Sequence, residues 1–223
     1  MMKPGFNWLS ELSPMAASAV MDAAQTRMLA PATMLYQQGD HTREFFQIVS
    51  GEVRQFLLNE DGREVLLYIN RAGDVVADSS ALDGEPYPVF IETRGETVLR
   101  VWSVDTLARL RAAFPEIDAA LARQMSKRMR AFLMLIEELC TLPMPARVAG
   151  RILALAEASG QTRLQVSQAD LAMMSGVTRA SVNEIVAALR ARGLIATQYG
   201  RVTILDRPGL VAFRASHRRA TSR

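Results

Sequence analysis

Apolar positions along the chain change their period twice. Between about residues 30 and 104 they form short alternating or fully apolar runs, such as Phe45-Phe46-Gln47-Ile48-Val49, Val53-Arg54-Gln55-Phe56-Leu57-Leu58 and Val65-Leu66-Leu67-Tyr68-Ile69. Glycines punctuate the runs at 39, 51, 62, 73, 84 and 95, in steps of 12 and then 11 residues. Several stand beside turn formers, in Gly39-Asp40, Asp61-Gly62, Gly73-Asp74 and Asp83-Gly84. Strands separated by turn signals at this interval predict an antiparallel sandwich or barrel. No sequence motif repeats with the glycines, so the interval is a hairpin spacing rather than a solenoid. The expectation is an eight-stranded double-sheet β-roll of jelly-roll type over about residues 30–104.

A helical period then takes over. Pro115 suits a first turn, Glu116 and Asp118 suit the positive end of a helix dipole, and no breaker follows until Pro143 and Pro145. That predicts a helix of about 27 residues, ~40 Å long at 1.5 Å per residue. Ala122, Met125, Met129, Phe132, Ile136 and Leu139 are spaced 3, 4, 3, 4, 3, the pattern of a seam between two helices. Residues 131–136 are apolar without a break, so one side can face a partner helix and another the roll. A parallel dimer seam through Met125, Met129, Phe132, Ile136 and Leu139 is favoured over an ordinary long core helix, because one domain of this size cannot cover so long a helix.

Beyond Leu142-Pro143-Met144-Pro145 the pattern predicts helices over 146–158, 167–174 and 179–192, the last stopped by Gly193. A ribbon over 194–197 and 201–205 turns at Tyr199-Gly200. Three helices and a ribbon make a winged helix, and residues 168–187 read position by position as a helix-turn-helix. Leu171 and the small Ala172 lie on the first helix, Gly176 supplies the positive φ of the turn, and Val177, Val182 and Ile185 anchor the second helix. Ser167 and Thr178 are the expected N-caps. With that set buried, Arg179, Ala180, Asn183 and Glu184 point outward, on the face that enters a major groove. The DNA-facing set is Ser167, Gln168, Thr178, Arg179, Ala180, Ser181, Asn183 and Glu184, with Arg201 on the wing. Arg179 can bridge N7 and O6 of guanine or hold a phosphate, and both roles stay open. The tail from Arg214 onward is basic and expected to fray at its end.

Charge sharpens this reading. The 223 residues carry a net +3, but residues 144–223 hold twelve Arg against four acids, a net +8, and residues 1–143 are at −5. The split suggests an acidic module joined to one that meets a polyanion, with a merely solvated basic face as the alternative. At 49% hydrophobic and 22% charged residues the chain is neither disordered nor collagen-like. No apolar stretch approaches the ~18 residues of a membrane span. The start, with one Lys followed by Pro4 and Gly5, lacks a signal core, so a cytoplasmic location is expected. One Cys and two His are too few for a zinc or iron–sulfur site. Cys140 reads as packing more than as a redox switch. Clustered metal ligands, a nucleophile elbow and a phosphate loop are all missing, which argues against an enzyme.

Roll, long helix and basic helix-turn-helix, in that order, resemble the Crp/Fnr superfamily of bacterial transcription regulators over roughly residues 20–210. The matching stretches are Gly39-Asp40, Ser50-Gly51-Glu52-Val53, Ala72-Gly73-Asp74-Val75, Asp83-Gly84-Glu85-Pro86 and the surroundings of Gly176. The resemblance implies an α+β chain with a sensory roll (1–112), a dimerisation helix (113–142) and a winged helix-turn-helix (143–223) that binds palindromic double-stranded DNA as a homodimer. An activator role is the commoner one in the family, with RNA polymerase as a further partner. The effector site departs from the pattern. Cyclic-nucleotide-binding members carry Phe-Gly-Glu and a later Arg-Ser or Arg-Ala, where this chain has Val76-Ala77-Asp78 and Tyr87-Pro88. Members that read adenine use Thr-Ser on the long helix, where this chain has Phe132 and Leu133. Cyclic AMP is therefore not expected, no cofactor is called for, and Asp78, Tyr87, Phe132 and Leu133 would line whatever pocket remains. The runner-up is a ligand-sensing module whose main output is protein–protein contact.

Overall fold

The computed structural model describes residues 5–58, 60, 62 and 64–219. Lys3, Pro4, Asp61 of the Asp61-Gly62 turn and the last four residues of the basic tail lie outside the described residues. The roll is built from β1 (Gln25–Leu29), β2 (Met34–Tyr36), β3 (Glu44–Ser50), β4 (Glu52–Leu58), β5 (Glu64–Arg71), β6 (Val75–Val76), β7 (Phe90–Thr93) and β8 (Thr97–Ser103). They form two antiparallel four-stranded sheets, ordered β1-β8-β3-β6 and β2-β7-β4-β5. The roll starts at Gln25 rather than near residue 30. β1 reads Gln-Thr-Arg-Met-Leu, an edge strand without a fully buried residue, so no apolar run announces it. Its Arg27 instead makes a two-pronged ion pair with Glu44 on β3. Gly51 joins β3 to β4 at φ +87°, where a Cβ would come within 2.5 Å of the Glu96 carbonyl oxygen. No other residue fits that turn.

The roll's core holds Phe45, Ile48, Val53, Ile91, Leu99 and Trp102, all buried. An N-terminal segment closes over it. Trp8, in a single 3₁₀ turn (Trp8–Glu11), is fully buried beside Phe45. The Trp102 indole donates to Val20 O at 2.7 Å, tying down α1 (Pro14–Asp22). The Phe6 backbone is tied to the β6 region, its N–H donating to the Asp74 carboxylate Oδ1 and its carbonyl accepting from Val75 N.

A short α2 (Asp78–Asp83) interrupts the roll, and α3 (Val104–Ala113) follows it. The apolar seam pattern gave no sign of α3, which Ser103 caps and which buries only Leu107 and Leu110. The long helix, α4, runs from Glu116 to Thr141, 26 residues. Ile117, Ala120, Leu121 and Gln124 on its first half are buried, the first three in the roll's core. Met129, Leu133, Met134, Ile136 and Leu139 are exposed. Cys140 is exposed as well, which corrects the packing expectation.

The remaining elements are α5 (Met144–Ser159), β9 (Arg163–Gln165), α6 (Gln168–Ser175), α7 (Arg179–Ala191), β10 (Ile195–Gln198), β11 (Arg201–Ile204) and α8 (Arg207–Arg219). The expected ribbon is a three-stranded sheet, ordered β10-β11-β9. β9 is three residues with one apolar side chain, Leu164, too little to register as a strand until β11 pairs with it. The tail is helical as far as Arg219, because Leu210 and Phe213 are buried and α8 packs on α5, and the end expected to fray lies outside the described residues. Contacts divide the chain into one unit of residues 4–130 and another from Ala131 onward, so the last turns of α4 belong with the C-terminal elements.

Candidate nucleic-acid interface

The helix-turn-helix forms from the residues that the pattern singled out. Leu171, Ala172, Val177, Val182 and Ile185 are all buried, in one core with Leu189, Ile195 and Val202. Gly176 ends α6 at φ +62°, and Val177 N donates to Ala172 O at 3.1 Å across the turn. Ser167 caps α6 in a reciprocal box with Asp170: its hydroxyl accepts from Asp170 N, and the Asp170 carboxylate accepts from Ser167 N. Thr178 caps α7 by accepting from Ser181 N at 3.1 Å, and the two hydroxyls stand 2.9 Å apart. Of the expected DNA-facing set, Thr178, Arg179, Ala180, Asn183 and Glu184 are exposed on one side of α7. Ser181, Ser167, Gln168 and Arg201 are half-buried. The Ser167 and Thr178 hydroxyls already serve as caps, which leaves Arg179, Asn183 and Glu184 with the freest polar ends.

Tyr199 was missed. It sits at the apex of the β10–β11 turn and is exposed without any cover. The signal was available, since an aromatic side chain beside the glycine of a two-residue hairpin has no core to enter. Basic residues on the wing sheet are Arg163 on β9 and Arg201 on β11, the latter paired in register with Gln165 and Gln198.

Of the four residues expected to line an effector pocket, Asp78 and Tyr87 are engaged within the chain. Asp78, at the start of α2, is fully buried. Its carboxylate accepts from Gln124 Nε2 at 2.9 Å and from Arg128, both on α4. Arg128 also donates to Val75 O at 2.7 Å, and its guanidinium lies 5.1 Å from the Phe6 ring centre. The preceding Ala77 holds φ +65°, a left-handed conformation that costs a non-glycine residue ~1–2 kcal/mol. The Tyr87 hydroxyl donates to Glu44 O and accepts from the Arg43 and Glu44 amides, while its ring stacks on Tyr36 at 3.7 Å. Burial pushes the Tyr36 phenol well above its ordinary value of 10.0. Phe132 is half-buried and Leu133 is 57% exposed, both on the stretch of α4 that belongs with the C-terminal unit. Sequence reading overlooked Arg128. Its signal was the row Ile117, Leu121, Gln124, Arg128, spaced 4, 3, 4, in which an apolar stripe ends in two polar residues. Among the described residues no group of three or more His, Cys, Asp or Glu could hold a metal, and no helix is long and apolar enough to cross a membrane.

Known proteins agree with this architecture. Residues 26–114 match the cyclic nucleotide-binding domain model and residues 146–213 the Crp-like helix-turn-helix domain model. The chain is 33% identical over 178 residues to the transcriptional regulator LdrP of Thermus thermophilus, covering 77% of this chain and 88% of that one. It is 28% identical over 196 residues to the CRP-like cAMP-activated global transcriptional regulator of Mycobacterium tuberculosis, covering 82% and 88%. Among solved structures, a CRP-family transcriptional regulator from Thermus thermophilus superposes with a TM-score of 0.73 at 29% identity, covering 85% of this chain and 96% of that one. The c-di-GMP responsive global regulator CLP of Xanthomonas campestris shares the fold, with a TM-score of 0.77 at 22% identity, covering 86% and 99%. Two domain models in the family's order, a basic helix-turn-helix and a relative this similar over most of both chains establish that this protein belongs to the Crp/Fnr family of DNA-binding transcription regulators and is not an enzyme.

Proposed function

We propose that the chain is a homodimeric, sequence-specific regulator that binds palindromic DNA in the bacterial cytoplasm, activates rather than represses, and does not need cyclic AMP. The observation that carries the reading is the outward face of α7, where Arg179, Asn183 and Glu184 stand exposed on a fully packed helix-turn-helix. Phosphate contacts from the surrounding Arg residues would supply affinity, and those three side chains would supply base readout. Met125, Met129, Phe132, Ile136 and Leu139 form the dimer seam, supported by the exposure of three of the five in the single chain. Independence from cyclic AMP rests on Asp78, whose carboxylate faces Arg128 and Gln124 rather than open space. Domain limits of 1–112, 113–142 and 143–223 remain part of this proposal, with RNA polymerase as the partner of an activator.

Selection of bound sequences from random DNA by gel shift, without added nucleotide, tests the reading. A two-fold symmetric consensus is expected. Recovery of unrelated sequences, or binding only after cyclic AMP is added, would overturn it.

A further inference from the structure

The last two turns of α4 carry an unusual load for the edge of a seam. Glu138 is buried, 8% exposed, and lies against α5 and α8. One carboxylate oxygen is 3.3 Å from Arg151 Nη2 on α5, and the other is 4.0 Å from Arg214 Nη2 on α8. Gly150 on α5 makes the room: a Cβ there would come 3.0 Å from Glu138 Oε1 and 3.1 Å from Arg214 Nε. A glycine inside a helix costs ~1 kcal/mol against alanine, so its use here marks a close approach.

Arg151 does not stop at Glu138. Its Nε donates to Met174 O at 2.8 Å, a carbonyl in the last turn of α6 that has no partner within its own helix. The turn that launches the recognition helix is thus bonded through one guanidinium to the dimerisation helix. The residue beside Glu138 approaches the same turn, with Leu139 Cδ2 lying 3.3 Å from where a Gly176 Cβ would stand. Two consecutive residues of α4 therefore hold the α6–α7 turn, one by an ionic bridge and one by packing. Phe132, Ile136 and Leu139 of the seam lie in that same unit.

We infer that Glu138 and Arg151 are positioning residues that fix the recognition helix relative to the α4 seam, and so set the separation of half-sites that the dimer accepts. The inference rests on the dimeric, palindrome-binding reading above. A separation changed by one base pair moves a half-site by about 3.4 Å and about 36° around the duplex. A rigid joint penalises that change heavily, whereas a loosened joint tolerates it.

Full-length wild type, Glu138→Gln and Arg151→Lys are compared on the selected operator, on versions with one or two base pairs added or removed at the centre, and on a single half-site. Arg151→Lys keeps the charge but gives up the fork that reaches both Glu138 and Met174 O. Wild type is expected to lose at least tenfold in affinity for each base pair of altered separation, and both variants less than threefold. Binding to the single half-site should stay within about twofold. Variants that keep the wild-type penalty would overturn the inference, as would a loss of equal size on every DNA, which marks a merely structural role. Failure of the underlying reading would show earlier and differently, as a wild-type selection that yields no two-fold sequence.

Discussion

Replacing Ile136 by Asp tests the seam with little risk to the protomer. Ile136 is 55% exposed in the single chain, so the substitution removes few contacts there and should cost the protomer under ~1 kcal/mol. Between two parallel helices the position meets its own copy, and two introduced carboxylates would leave water together. A penalty of ~3 kcal/mol per chain, ~6 kcal/mol per dimer, weakens association by about four powers of ten at 1.4 kcal/mol per tenfold. A dimer that holds at nanomolar concentration would dissociate at tens of micromolar. Sedimentation velocity at a few micromolar should show a single species of protomer mass. Its melting temperature should lose the concentration dependence of a dimer. Operator affinity should fall, because one half-site binds weakly. An unchanged dimer would place the interface elsewhere; an unfolded protomer would show that Ile136 faces this chain's own core.

Arg179→Ala should cost ~1–3 kcal/mol and relax preference at one base pair, whereas Arg201→Ala should weaken all sequences alike and flatten the salt dependence. Equal losses on every half-site variant would reduce Arg179 to a phosphate contact. Arg128→Met strands the buried Asp78 carboxylate and should lower stability by ~3–5 kcal/mol in urea unfolding, with Asp78→Asn added to the same chain recovering much of the loss. An unchanged midpoint would mean that Asp78 finds another cation. Gly150→Ala should not give the ~1 kcal/mol that helix propensity alone promises, since its Cβ crowds Glu138 and Arg214. A full gain in urea unfolding would show those two side chains to be free to move. Cyclic AMP should produce no calorimetric binding at micromolar concentration, and a micromolar or tighter site would refute the claim that Asp78 and Tyr87 are engaged.

The chain by itself determined whatever depends on local period and local backbone geometry. Glycines eleven residues apart marked the turns of the roll, the unbroken run from Pro115 to Pro143 set the length of α4, and the spacing of Leu171, Ala172, Gly176, Val177, Val182 and Ile185 defined the helix-turn-helix with its caps. These features need no distant partner, because a helix face or a positive φ is a property of a few neighbouring residues. The expected hairpin spacing holds for β4 and β5 alone among the described consecutive strands of the roll, since the turns at Gly51, Gly73 and Gly95 carry the chain from one sheet to the other. β1, β9 and α8 escaped notice because their polarity resembles that of loops. Pairing with β8 and β11, and burial of Leu210 and Phe213 against the C-terminal core, made them regular. The ion pairs were the least legible part. Arg128 and Asp78 are 50 residues apart, and the Arg151 of the Glu138 pair also donates to a backbone carbonyl 23 residues away, that of Met174. On a helix an arginine that reaches solvent and one that reaches a buried carboxylate are written identically. Only the tertiary structure, by bringing a desolvated partner within hydrogen-bond reach, decides which of them shapes the molecule.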